Sequence, residues 1–77
     1  MTIFEKAVSG TEEVPNMPTG AIAIIQCDAD FDIQFWNPVA GAYDPVTAVT
    51  APGGLLGIPH NKALLTGTSN VRVVQSK

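Results

Sequence analysis

The 77-residue sequence predicts an all-β fold, a small antiparallel β-sandwich or β-barrel of about six short strands with an extended N-terminal arm. Three observations predict it. Seven glycines and six prolines punctuate the chain throughout, which keeps the uninterrupted stretches short. No breaker-free stretch of helical length carries apolar residues at i, i+3, i+4 and i+7. The longest breaker-free run, residues 21–37, alternates with period 2 in its second half: Phe31, Ile33 and Phe35 face one way, and Asp30, Asp32, Gln34 and Trp36 face the other.

The elements follow in order. Thr2 to Val8 reads as a first strand or arm, ended by Ser9-Gly10. Thr11 to Gly20, with Glu12, Glu13, Pro15 and Pro18, reads as an extended loop, and its Pro15-Asn16-Met17-Pro18 segment is able to reach a neighbouring subunit. Residues 1–20 thus form a strand or arm plus loop, and residues 21–77 the β-sandwich domain. Ala21 to Gln26 is apolar at nearly every position, the pattern of a strand buried on both faces. Asp30 to Trp36 is a half-buried strand broken by Asn37-Pro38. Gly41 and Asp44-Pro45 keep the next stretch irregular. Val46 to Thr50 is a short β-branched strand, Pro52-Gly53-Gly54 a tight turn, and Leu55 to Ile58 a strand closed by Pro59. Lys62 to Thr66 and Asn70 to Gln75 are the last two strands, separated by Gly67.

Composition bounds the function. The chain has 45% hydrophobic and only 14% charged residues, against ~25% charged in an ordinary soluble chain. A domain this small leaves on the order of 4,500 Å² wet and rarely gains more than ~3–5 kcal/mol from its core without a cross-link, a metal or a partner. One cysteine and one histidine exclude an internal disulfide and leave little for a structural zinc site. Partner subunits are the support that remains. The net charge of −3 argues against nucleic acid, which needs clustered Lys and Arg. No run reaches the ~18–20 apolar residues of a membrane span, and the start Met1-Thr2-Ile3-Phe4-Glu5-Lys6 lacks the pattern of a signal peptide, so the expected place of synthesis is a cytoplasm.

Candidate chemistry is sparse. Asp28, Asp30 and Asp32 recur at every second position, which suits a hard cation, an acidic contact with a basic partner, or simply a wet strand face guarded by like charges. The run does not continue as a calcium-binding loop, because Ile33 stands where such a loop needs glycine and Val39 where it needs glutamate. His60 lies in a loop without a nucleophile in an activating context, and Cys27 follows an apolar strand with nothing basic near it in sequence. The expectation is therefore a protein that is not an enzyme and that carries no metal or cofactor. Trp36 and Tyr43 stand out, since a large aromatic on a polar strand face suits a subunit interface, a sugar platform, or a strand buried on both sides near its end.

The stretch from about Ala21 to Gln75 resembles a small β-sandwich found in virion proteins of tailed bacteriophages. The residues that carry the resemblance are Ile22-Ala23-Ile24-Ile25, Phe31-Asp32-Ile33-Gln34-Phe35-Trp36, Asp44-Pro45-Val46-Thr47-Ala48-Val49, Ala51-Pro52-Gly53-Gly54, Ile58-Pro59 and Asn70-Val71-Arg72-Val73. The resemblance implies a virion structural subunit on the capsid surface, of the decoration or cement kind. It would bind the major capsid protein and copies of itself, for instance as a trimer, and it would bind neither nucleic acid nor membrane. The expected contact residues are Ile3, Phe4, Trp36 and Tyr43. The alternative is a ligand- or sugar-binding module of a phage tail or fibre.

Overall fold

The backbone alternation resolves into seven strands and no helix among the described residues, 2–75, in a computed structural model of the chain. These are β1 (Thr2–Val14), β2 (Gly20–Cys27), β3 (Phe31–Asn37), β4 (Ala42–Tyr43), β5 (Thr47–Val49), β6 (Gly53–Ile58) and β7 (Ala63–Gln75). Every pairing is antiparallel. The strands make one curled sheet, a half-barrel, so the all-β expectation is met.

β7 organises the sheet. Along one edge it pairs with β1 over all thirteen positions, from Thr2↔Gln75 to Val14↔Ala63. Along the other edge two strands share it. β2 takes the C-terminal half, from Ala23↔Gln75 to Cys27↔Val71, and β3 takes the N-terminal half, from Phe31↔Gly67 to Phe35↔Ala63. β6 then flanks β2, while β5 and β4 flank β3.

The sheet is creased where these two halves meet. Gly10 and Gly67 are directly opposed across β1 and β7, and both hold positive φ, +78° and +143°. An L side chain resists both conformations, and glycine does not. Two such residues in register let the ribbon bend while its pairing continues. The sequence pattern predicts a strand end at Gly10 and two strands separated at Gly67; β1 and β7 instead continue through both glycines. Thr11–Val14, read as loop, belong to β1, and the two expected C-terminal strands are one. Ala42–Tyr43, read as irregular, form the short β4.

The crease closes the sheet around a single core. Phe31, Ile33 and Phe35 of β3 point into it, as their alternation predicts, and meet Ile25, Cys27, Ile58, Leu65, Val71 and Val73. Met17, from the loop expected to reach outward, is 1% exposed and fills the same core, with its N–H donating to Asn61 O at 2.6 Å. The accessible surface is 4400 Å², close to that expected from chain length.

β2 departs from expectation in a way that bears on function. Ala23, Ile25 and Cys27 are buried, but Ile22 and Ile24 are 64% and 46% exposed. The strand has the composition of one covered on both sides and is covered on one.

The crease is testable. Gly10→Ala meets no neighbouring atom and costs only the strain of its positive φ, about 1 kcal/mol. Gly67→Ala adds a harsher φ and a Cβ 3.1 Å from that of Phe31, and is expected to cost about 2–3 kcal/mol. Urea denaturation of the two variants should show the larger loss at Gly67; equal, negligible losses would deny the two glycines a part in the bend.

Candidate functional site

The β3–β4 hairpin builds the most differentiated surface. Its turn, Asn37-Pro38-Val39-Ala40-Gly41, is pinned by one side chain. Asn37 Oδ1 accepts from the N–H groups of Val39 and Ala40 at 3.0 and 3.1 Å, and Asn37 Nδ2 donates to Asp44 Oδ1 at 3.1 Å. Gly41 N–H closes the turn on Asn37 O at 2.9 Å. Val39 is thereby held at the tip, 97% exposed. An apolar side chain on a fixed turn loses little entropy when it enters a partner's surface.

The register of the hairpin places Trp36 opposite Tyr43. Their rings meet edge to face, centroids 5.3 Å apart and planes at 78°. Such a pair is worth ~0.5–1.5 kcal/mol beyond its burial. Lys62, from the connection before β7, sets its ammonium 4.2 Å from the Trp36 ring centroid and 5.8 Å from that of Tyr43. Glu13 reaches in from β1: Tyr43 Oη donates to Glu13 Oε2 at 2.9 Å, and Lys62 Nζ lies 3.9 Å from the same oxygen. Desolvation, then the hydrogen bond and charge of Glu13, push the Tyr43 phenol above its ordinary pKa of 10.0. It therefore remains a neutral donor at physiological pH. Three segments distant in sequence, β1, the β3–β4 hairpin and the connection before β7, thus converge on one corner, at the Val14/Ala63 end of the β1–β7 ribbon.

The expected contact residues fall in different places. Trp36 and Tyr43 are together here and half-buried. Ile3 and Phe4 lie at the other end of β1, Ile3 on the outer face and Phe4 turned inward against the core. Sequence reasoning missed Glu13 and Lys62. Nothing local marks them, because the β1–β7 register alone brings them to the hairpin.

The acidic run has a structural role at the crease. Asp28 sits where β2 has left β7 and β3 has not yet joined it. Its carboxylate accepts from Asn70 N at 2.8 Å, Asn70 Nδ2 at 2.7 Å and Ser69 Oγ at 3.2 Å. Asp28 therefore takes the place of a strand carbonyl in the interrupted ladder. Asp30 Oδ1 accepts from Ala51 N at 2.8 Å, and Asp32 lies half-buried on β3. Among the described residues no three His, Cys, Asp or Glu side chains are grouped to hold a metal ion. His60 is exposed in the connection after β6. Cys27 is buried, and desolvation, then the charges of Asp30 and Asp28, raise its thiol above 9.0, so the unreactive protonated form prevails.

Asp28 makes the fold acid-sensitive. Its bonds to the Asn70 N–H and side chain, with Ser69 adding to them, hold its carboxyl below the ordinary 3.8. A depressed folded pKa gives stability that is complete above the unfolded value and is lost as pH falls through the folded one. The urea midpoint should therefore fall on acidification below about pH 4, and Asp28→Asn should flatten that dependence; an unchanged slope would deny Asp28 the role.

Compared with known proteins, the chain matches no family model, no curated protein and no solved structure.

Proposed function

We propose that the chain is a structural subunit of a virion, a decoration or cement protein that grips a neighbouring shell protein with its aromatic corner. The observation that carries this reading is the pinned hairpin: Val39 bare at the tip, with Trp36, Tyr43 and Lys62 packed beside it. Trp and Tyr are the residue types that dominate protein–protein contacts, and they bind best when ordered beforehand. The phage capsid as the setting rests on the sequence resemblance, and the major capsid protein is the partner it implies.

The mechanism is adhesive and involves no bond making. Val39 would enter a pocket of the shell protein, the aromatic pair would exclude water around it, and Lys62 with Glu13 would form a polar rim. The sugar-binding alternative uses the same indole. It is the weaker reading because the Lys62 ammonium already lies over the Trp36 ring, where a sugar would stack.

The test is co-sedimentation with shells assembled from the major capsid protein encoded alongside this chain. Trp36→Ala and Val39→Asp should each weaken binding about 30-fold, the loss of a contact worth ~2 kcal/mol. Wild-type protein that leaves those shells in the supernatant, or variants that bind undiminished, would overturn the reading. Trp36 fluorescence that shifts on a glycan panel would favour the sugar module instead.

A further inference from the structure

The aromatic corner holds a cation, and it does so without a hydrogen bond. The Lys62 ammonium stands 4.2 Å from the Trp36 ring centroid, 5.8 Å from that of Tyr43 and 3.9 Å from Glu13 Oε2. The last distance is beyond hydrogen-bond reach, and among the described residues Lys62 Nζ donates to no other acceptor. Its enclosure is two rings at 78° to each other and one carboxylate. A primary ammonium carries three donors and gains most where acceptors surround it. This enclosure offers charge and ring faces instead, the contacts that suit a cation with no donors at all.

The walls do not need the Lys62 side chain to stay in place. Trp36 N–H donates to Lys62 O at 3.0 Å, a backbone contact. Tyr43 is fixed by its pairing with Trp36 and by its bond to Glu13 Oε2 at 2.9 Å. Asp44 N–H, next to it, donates to Phe35 O at 2.8 Å. The lysine itself is loosely kept. Its side chain is 36% exposed, and its ion pair is of the weak, solvated kind. An ordered lysine side chain also gives up much rotamer freedom, which displacement returns to it. What it leaves behind is a preformed place lined by two rings and a carboxylate.

We propose that the corner is a binding site for a quaternary ammonium group, such as that of choline, and that Lys62 is its displaceable stand-in. The group rests on the Trp36 indole beside Tyr43, with Glu13 balancing its charge. A neutral ligand of the same shape gains the ring contacts and nothing from Glu13, so the site selects for charge. Lys62, once displaced, stays tethered next to the site, where a phosphate carried by the ligand meets its ammonium. The aliphatic row that Ile3, Val74, Ile24 and Leu55 form across β1, β7, β2 and β6 stands at the far end of the ribbon and takes no part. The site stands on the geometry of the corner alone and does not rest on its gripping a shell.

Titration of the full chain with choline chloride tests this, with sodium chloride at matched ionic strength as the reference. Trp36 is the only tryptophan in the chain, so its emission reports the site. Wild-type emission should change saturably with choline. Lys62→Ala should half-saturate at a concentration about tenfold lower, because the resident cation is gone. Lys62→Gln keeps most of the stem and should do the same, which preserves the test if the alanine variant does not fold. Glu13→Gln keeps an acceptor for Tyr43 and should weaken choline roughly fivefold. Dimethylbutanol, the uncharged isostere of choline, should give no saturable change. Phosphocholine separates two sources of the group: tighter binding than choline supports a phosphate-bearing head group, and equal or weaker binding supports choline itself. Lysine variants that bind no more tightly than wild type, a Glu13→Gln variant that binds as well, or an isostere as effective as choline would overturn the proposal. No shell protein enters the titration, so its failure and the failure of co-sedimentation are read separately.

Discussion

Every part of this fold depends on one strand being paired along both edges while bending in the middle. β7 gives one edge wholly to β1 and divides the other between β2 and β3. A strand shared in this way must turn where its partners change, or the two halves would diverge and leave no interior. Gly10 and Gly67 permit the turn, and Asp28 supplies acceptors where the ladder is interrupted. Backbone freedom and a side-chain carboxylate together do what a continuous third strand would have done.

The core follows from that bend. Fifteen buried apolar residues come from both halves of the sheet and from Met17 in the first connection. Leu65 and Val73 are fully buried on either side of Gly67 on the same strand. Period 2 puts both on one face of the strand, and the curl of the sheet wraps that face around one core. This construction needs no disulfide, but it covers only the inner face. A sheet of this size usually gains a second covered face from another layer. Here the outer side of β2 and β6 has none among the described residues, and that is where Ile22, Ile24 and Leu55 stand.

The sequence disclosed what depends on local pattern and concealed what depends on register. Phe31, Ile33 and Phe35 could be assigned to the core because alternation with period 2 is a property of the strand itself. The strand boundary at Gly10 was misread because a glycine in isolation signals an end. Only its cross-strand partner, 57 residues later at Gly67, makes it a bend. Ile22 and Ile24 were read as buried because composition reports what a face is suited to touch, not whether the chain contains something to cover it. Trp36 and Tyr43 were visible as candidates. Glu13 and Lys62 were not, because the β1–β7 and β3–β4 registers bring them there from distant parts of the sequence.

The same ribbon that creates the core also separates the aromatic corner from the aliphatic row. The aromatic corner lies at the Val14/Ala63 end of β1 and β7, and the aliphatic row at the Thr2/Gln75 end. Between them run two strands hydrogen-bonded throughout, bent but uninterrupted. A body held in this way would not fold up on itself when one end is occupied. An adhesive subunit has that requirement, since a joint between neighbours is only as stiff as the piece that spans it. On the proposed adhesive role, the low charge density would have a physical reason at the corner. At the corner the Lys62 and Glu13 charges lie close enough to offset each other, which leaves Val39 and the rings to make the contact.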